Sequence, residues 1–370
     1  MSKIPELLIS VSGEKIDSVE KWEKFRRREI LNLFQEYVYG VRDIEKPKDL
    51  HFEQKAETVF KGMRCKEIEG GFGSFSFPFK LYLPLNQAKA VPTFVYVMHE
   101  FQEKNFSFDE KGNFVRGESQ IPIKDINDRG FGIAVMPTRS VYHDWEAHEE
   151  FKQGVFAAVE TPKGRQSNSW ATISAWAWGA SRVLDYLETD GNVDCNNIAV
   201  VGHSRGGKTA LWAAATDQRF KLAVSNNSGC MGSAVLRGKE GEHIKDINIT
   251  DWFCENFRDF NEHEELLPVD QHMLIALIAP RYVYVLSSVS DTWADPCAEY
   301  LGCHMASEAF ELYGMEGFVA PEGKPQLEAP VHGGHIAYHM KQGGHSIGAY
   351  DWSNVMDYFE KIIKTQKLDK

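Results

Sequence analysis

The fold is decided by Ile198-Ala199-Val200-Val201-Gly202-His203-Ser204-Arg205-Gly206-Gly207-Lys208, where a short apolar run meets a glycine-punctuated turn and then a helix-forming stretch. The run reads as a buried strand, and Gly206 to Ala215 as the helix that follows it. Between them the pattern G-x-S-x-G places Ser204 on a turn so tight that a side chain at Gly202 or Gly206 would strike neighbouring backbone. Such a turn lifts the Ser204 hydroxyl clear of the sheet edge. It also sets that hydroxyl at a helix N-terminus, where unsatisfied N–H groups and the helix dipole favour developing negative charge.

Outward from this stretch the same alternation continues. Short apolar runs predict strands at Val91 to Met98, Gly132 to Met136, Leu222 to Ser225, Tyr282 to Leu286 and near Ala337 to Met340. Helices are expected at about Ser169 to Leu187, Gln271 to Ile278 and Trp352 to Ile363. Strands alternating with helix-length segments make a mostly parallel central sheet with helices on both faces, and a strand-turn-helix carrying G-x-S-x-G makes it an α/β-hydrolase fold. Upstream, Trp22, Phe25, Ile30, Leu31, Phe34 and Val38 recur at three- and four-residue steps before Gly40, which predicts an amphipathic helix within an N-terminal helical cover over residues 1–50. His51 to Leu85 alternates around the turn signal Gly70-Gly71-Phe72-Gly73, as antiparallel strands opening a sheet do. No repeat or linker divides the chain, so one domain over 1–370 is expected, with residues 230–270 as an insertion over the site.

With 41 Lys and Arg against 53 Asp and Glu, the net charge of −12 repels polyanions and excludes nucleic acid as the natural partner. The N-terminus lacks the apolar core of a secretory signal, and no stretch has the ~18 apolar residues of a membrane span, so the expected address is cytoplasmic, with no membrane partner. Six cysteines without CxxC spacing are expected to be reduced thiols.

A serine hydroxyl becomes a useful nucleophile only when a base takes its proton, and in this fold the order along the chain is Ser, then Asp or Glu, then His. Asp291 follows the apolar run beginning at Tyr282, which places a carboxylate after a buried strand. His345 lies in Gln342-Gly343-Gly344-His345-Ser346, a loop between the last strand and the terminal helix. The catalytic set is therefore Ser204, His345 and Asp291. The Arg205 N–H is one expected oxyanion donor, and the N–H of Glu100 or Phe101, in the loop after the strand ending at Met98, is the other. His332, His335 and His339 compete with His345, but without a helical frame or matching carboxylates they do not make a metal site, and neither metal nor cofactor is required.

With these residues in place, the sequence resembles carbohydrate esterase family 15, the glucuronoyl esterases, and the bacterial proteins called acetylxylan esterases beside them. The resemblance spans most of the chain: Trp22…Arg26-Arg27…Tyr39-Gly40, Gly202 to Lys208, Ser228-Gly229-Cys230, Leu267-Pro268-Val269-Asp270-Gln271-His272, Ala279-Pro280-Arg281, Asp291-Thr292-Trp293 and Gly344-His345. It implies that Arg205 offers its guanidinium to the oxyanion, and that Lys208, Trp293 and Gln271 contact the substrate sugar. Lys208, four residues after Ser204, shares its helical face; a surface lysine and a core tryptophan are the ordinary alternatives. Many members carry a glutamate as triad acid after the Leu222 to Ser225 strand. Here that position is Asn227, which cannot ionise and leaves the work to Asp291. The glutamine and glutamate that hold the uronic acid in fungal members have no evident match between Gly238 and Trp252.

The expected activity is thus hydrolysis of a sugar ester, either a glucuronoyl ester or an acetylated xylo-oligosaccharide, through an acyl-enzyme. The competing reading is a carbohydrate-binding protein that keeps the fold without turnover, suggested by Asn227. Oligomeric state is not legible.

Overall fold

The computed structural model describes residues 3–99, 107–116, 119–144, 151–159, 164–248 and 251–368. The chain enters the sheet through three antiparallel strands, β1 (His51–Phe60), β2 (Met63–Phe72) and β3 (Phe75–Pro84). Lys61 and Gly62, with φ of 50° and 79°, make the two-residue turn between β1 and β2, a conformation whose twist matches that of the paired strands. A register shift between Gln54 and Ala56 breaks the regularity of β1. After β4 (Val91–Met98), the strands β5 (Ser107–Phe108), β6 (Phe114–Arg116) and β7 (Ser119–Ile121) form a separate small antiparallel sheet that the apolar pattern does not announce.

The main sheet is completed by β8 (Gly132–Pro137), β9 (Val193–His203), β10 (Leu222–Asn226), β11 (Tyr282–Ser288) and β12 (Ile336–Lys341). Its order is β1-β2-β3-β8-β4-β9-β10-β11-β12, and every neighbouring pair from β8 onward is parallel. Parallel neighbours need crossovers, and successive side chains on a strand face opposite ways, so these strands feed two cores. Ile198, Val200, Val283 and Val285 pack on one face, while Ala199, Val201, Tyr284 and Leu286 pack on the other. The helices Thr172–Leu187, Arg205–Thr216, Gln271–Ala276 and Pro296–Leu312 close the first core. The helices Ile123–Asp128 and Ala349–Leu368 close the second.

Two departures from the expected pattern have physical causes. The helical run from Val19 to Tyr39 contains π-helical turns over Trp22–Arg26 and Gln35–Tyr39. A π turn rotates less per residue than an α turn and shifts the buried stripe. Trp22 and Arg26 face inward, and Phe25, expected on the apolar face, is exposed. The run docks on the helix after β9, where Tyr39 stacks on Trp212 at 4.3 Å and its hydroxyl donates to the Met231 carbonyl at 2.8 Å. It stops at Gly40, φ 81°, where a Cβ would lie 2.4 Å from the Ser169 carbonyl oxygen. Pro296–Leu312 is the other surprise, since its inward face includes the buried Glu299 among apolar residues. All six cysteines are free thiols.

Candidate active site

Because β9 to β12 are parallel, the residues that follow them gather at one edge of the sheet. Ser204 follows β9, Asn227 follows β10, Asp291 lies three residues past β11, and His345 four past β12.

Ser204 has φ 58° and ψ −126°, a backbone conformation that side-chain-bearing residues seldom adopt and that costs on the order of 1–3 kcal/mol. The surroundings impose it. Its N–H donates to the Asn226 carbonyl at 2.8 Å, and a Cβ on Gly202 would lie 1.9 Å from the Gly206 carbonyl oxygen. Ser204 is also the N-cap of Arg205–Thr216, so Arg205 is the first helical residue, where an amide has no intrahelical acceptor.

The loops after β11 and β12 are joined by backbone hydrogen bonds, Val289 N–H to Lys341 O at 2.9 Å and Ser290 N–H to Gly343 O at 3.0 Å. This pairing brings the His345 Nδ1 to 2.6 Å from the Asp291 Oδ2. The carboxylate is buried, while the imidazole is 45% exposed. Nδ1–H donating to Asp291 leaves Nε2 to accept a proton, and the ring packs 4.5 Å from that of His203, the residue before the nucleophile. His203 is itself fixed by Asn226 Oδ1 at 2.5 Å, and burial, reinforced by His345, lowers its pKa to about 3, so it stays neutral. The competing histidines are occupied elsewhere: His332 Nε2 meets the Tyr284 hydroxyl at 2.7 Å, and His335 Nδ1 the Pro280 carbonyl at 2.9 Å.

Comparison with known proteins sets the chain among esterases. A family model described as glucuronyl esterase of fungi matches residues 147–314. A carbohydrate esterase from an unidentified prokaryote is 32% identical over 96% of this chain and 88% of its own length. A glucuronoyl esterase structure from Solibacter usitatus is 30% identical, with a TM-score of 0.86 covering 97% of this chain and 98% of that one. A promiscuous CE15 esterase from a marine bacterial metagenome is 32% identical, with a TM-score of 0.83 over 97% of both chains. The chain belongs to carbohydrate esterase family 15. It is an ester-hydrolysing enzyme on an α/β-hydrolase fold, and the reading as a binding protein without turnover is set aside.

In this family 15 esterase, Arg205 is anchored by a residue that no sequence pattern singles out. Its Nη1 donates to Asp144 Oδ2 at 2.6 Å, and its guanidinium lies 4.2 Å from the ring centre of Trp252, whose Nε1 donates to the same oxygen at 3.1 Å. Glu100 and Phe101 lie outside the described residues.

Lys208 is neither a surface lysine nor remote from the site. Buried to 3% exposure, it donates to the Ser228 carbonyl at 2.6 Å and to Glu242 Oε2 at 3.2 Å. The other oxygen of Glu242 accepts from Trp293 Nε1 at 3.1 Å, and the indole stands 55% exposed rather than in the core. Glu242 thus joins the two expected sugar contacts; as one charge among several in an acidic and basic stretch, it carried no signal of its own. Both Glu242 and Trp252 come from residues 230–270. Gln271 is not brought to this cluster. It is fully buried at the start of its helix, with its amide 3.5 Å from the Met231 sulfur.

Asn227, at the position of the family glutamate, is buried with φ 45° and donates its amide to Ser288 Oγ at 3.0 Å. Beneath it Glu299 was missed altogether. Its Oε1 accepts from the N–H groups of Ser228 and Gly229 at 2.9 and 3.0 Å and from Ser233 Oγ at 2.8 Å, and its Oε2 from Ser287 Oγ at 2.6 Å. Complete burial pushes its pKa up to about 7 against the pull of these donors.

Proposed function

We propose that this esterase cleaves the ester between an alcohol and the carboxyl carbon of a glucuronate residue, by acyl transfer through Ser204. The observation that carries the reading is the 2.6 Å hydrogen bond between Asp291 and His345 at the sheet edge that also bears the strained Ser204 turn.

The Ser204 oxygen attacks the ester carbonyl carbon as His345 Nε2 takes the hydroxyl proton. Asp291 holds the imidazole in the Nδ1–H tautomer and stabilises the imidazolium that forms. The tetrahedral oxyanion is held by the Arg205 N–H, with the guanidinium beside it. Collapse expels the alcohol, which receives the proton from His345, and water hydrolyses the acyl-enzyme by the same steps in reverse roles.

Three features support glucuronate as the acyl group. Lys208, Glu242 and Trp293 form one hydrogen-bonded cluster that offers a cation, an acceptor and an exposed indole face to a hydroxyl-rich ring. The relatives from Solibacter and from fungi are described as glucuronoyl esterases and glucuronoyl methylesterases. An acetyl group would leave these contacts to the alcohol side of the ester.

Ser204→Ala is expected to lower kcat on the order of 10⁶-fold. On a panel of methyl glucuronate, acetylated xylo-oligosaccharides and p-nitrophenyl acetate, the glucuronate ester should show the highest kcat/KM. Faster release of acetate from the xylo-oligosaccharides would remove glucuronate from the reading.

A further inference from the structure

Below the loop that carries His345 lies a polar cluster that the acyl-transfer steps do not use. Lys341, the last residue of β12, sends its Nζ to Asp351 Oδ2 at 2.5 Å and to Ser346 Oγ, beside His345, at 3.3 Å. The Gly348 N–H donates to the same carboxylate oxygen at 2.7 Å, and His339 Nε2 meets the other at 2.8 Å. His339 Nδ1 in turn meets the Tyr284 hydroxyl at 2.8 Å, which reaches His332. Asp351 and His339 are fully buried, and Lys341 is 7% exposed.

Taking an ammonium and a carboxylate out of water costs several kcal/mol per ion, which their attraction repays only with good geometry and further hydrogen bonds. A packed apolar pair would close the same space at lower cost, so stability alone does not account for this one. Its connections do. Residues 342–348 span from β12 to the helix Ala349–Leu368, and Asp351 holds both ends of that span, Lys341 on one side and Gly348 on the other. The Lys341 charge also reaches the site, where it is among the influences that keep His203, whose ring lies 4.5 Å from that of His345, neutral.

We infer that Lys341 and Asp351 form a buried positioning pair for the proposed base, fixing the loop that carries His345 and balancing charge beneath the imidazole. The inference rests on His345 being the base. Neither residue touches substrate. Among the described residues, the titratable groups facing the pair are His339 from β12, Tyr284 from β11, His332 from the segment before β12 and Tyr350 from the terminal helix. Those facing His345 are Asp291 from the loop after β11 and His203 from β9.

The pair predicts opposite effects from its two halves. Asp351→Asn leaves an unbalanced ammonium near His345, disfavours the imidazolium and moves the acid limb of the kcat profile to lower pH. Lys341→Met leaves the carboxylate and moves that limb to higher pH. Each shift should be ~0.3 unit or more, as expected for a unit charge acting through partly screened protein. The double variant Asp351→Asn/Lys341→Met should return the limb to within ~0.2 unit of the parent. Asp351→Asn should also lower kcat about tenfold with KM changed less than about twofold, because the sugar cluster lies on other loops.

The experiment is a set of pH–kcat profiles on the full-length enzyme with methyl glucuronate as the probe, alongside His345→Ala. If Asp351→Asn does not fold, Lys341→Met against the double variant reads the same charge step. An inactive His345→Ala with acid limbs that coincide in all the other variants overturns the pair and leaves the base assignment standing. A His345→Ala enzyme of parental activity overturns both.

Discussion

The loops after β10 and β11 stand side by side at the carboxyl edge of the sheet, and each carries a buried polar residue there. In one the position is filled by Asn227, whose amide is spent on Ser288; in the other Asp291 is hydrogen-bonded to the imidazole. The two loops share a support, since Glu299 binds Ser228 and Gly229 of the first and Ser287 at the end of β11. The difference teaches that two neighbouring seats at one sheet edge take different work according to their occupant, a carboxylate meeting the imidazole and an amide meeting a hydroxyl. A neutral amide in one seat becomes a strut between loops.

The largest effect on this comparison should come from Asp291→Asn. It preserves shape but removes the charge that holds the Nδ1–H tautomer, so kcat on a glucuronate ester is expected to fall ~10³–10⁴-fold. If the second seat is equivalent, Asn227→Glu placed in the Asp291→Asn background should recover about tenfold or more of that loss. Recovery without change in KM would sharpen the comparison; none would break it.

Next is the shared support. The folded-state pKa of Glu299 lies above its unfolded value, so its contribution to stability is fully present below the unfolded pKa near 4.5 and is lost as pH rises through about 7. Glu299→Gln should therefore flatten the pH dependence of unfolding free energy between about pH 4.5 and 7, by up to ~3 kcal/mol in total. Denaturant melts at several pH values check this, and parallel parent and variant curves would show that burial does not perturb this carboxyl. The smallest effect belongs to Ser288→Ala. It strands the Asn227 amide and should cost ~1 kcal/mol of stability while leaving kcat within about threefold of the parent.

The layout of these loops was legible because each parallel strand is a short apolar run ending in a chemically distinctive residue. Val91–Met98 was read to the residue, and the strands leading to Ser204, Asn227, Asp291 and His345 were all anticipated in order. What escaped was anything that depends on a partner far along the chain. Asp144 meets Arg205 across 61 positions, and nothing local to Asp144 marks it. Glu299 and Asp351 look like ordinary helix-surface acids because a buried charge with good partners leaves no trace in periodicity. Phe25 was misplaced for a different reason: the three- and four-residue rule assumes α geometry, and the helix there is π.

The sheet has two open ends, and they are treated differently. At β12 the outer edge is covered by bridges from Phe318, Leu327 and Val331. At β1 ten residues of backbone face outward, and among the described residues β2 is their one partner strand. A strand of that length is a template for a second copy, and amyloid-like stacking starts from such templates. The register shift between Gln54 and Ala56 interrupts the row of donors and acceptors, and Glu53, Lys55 and Glu57 line the same stretch with charge. An incoming strand would meet a broken ladder and a charged margin, both of which disfavour pairing along this border.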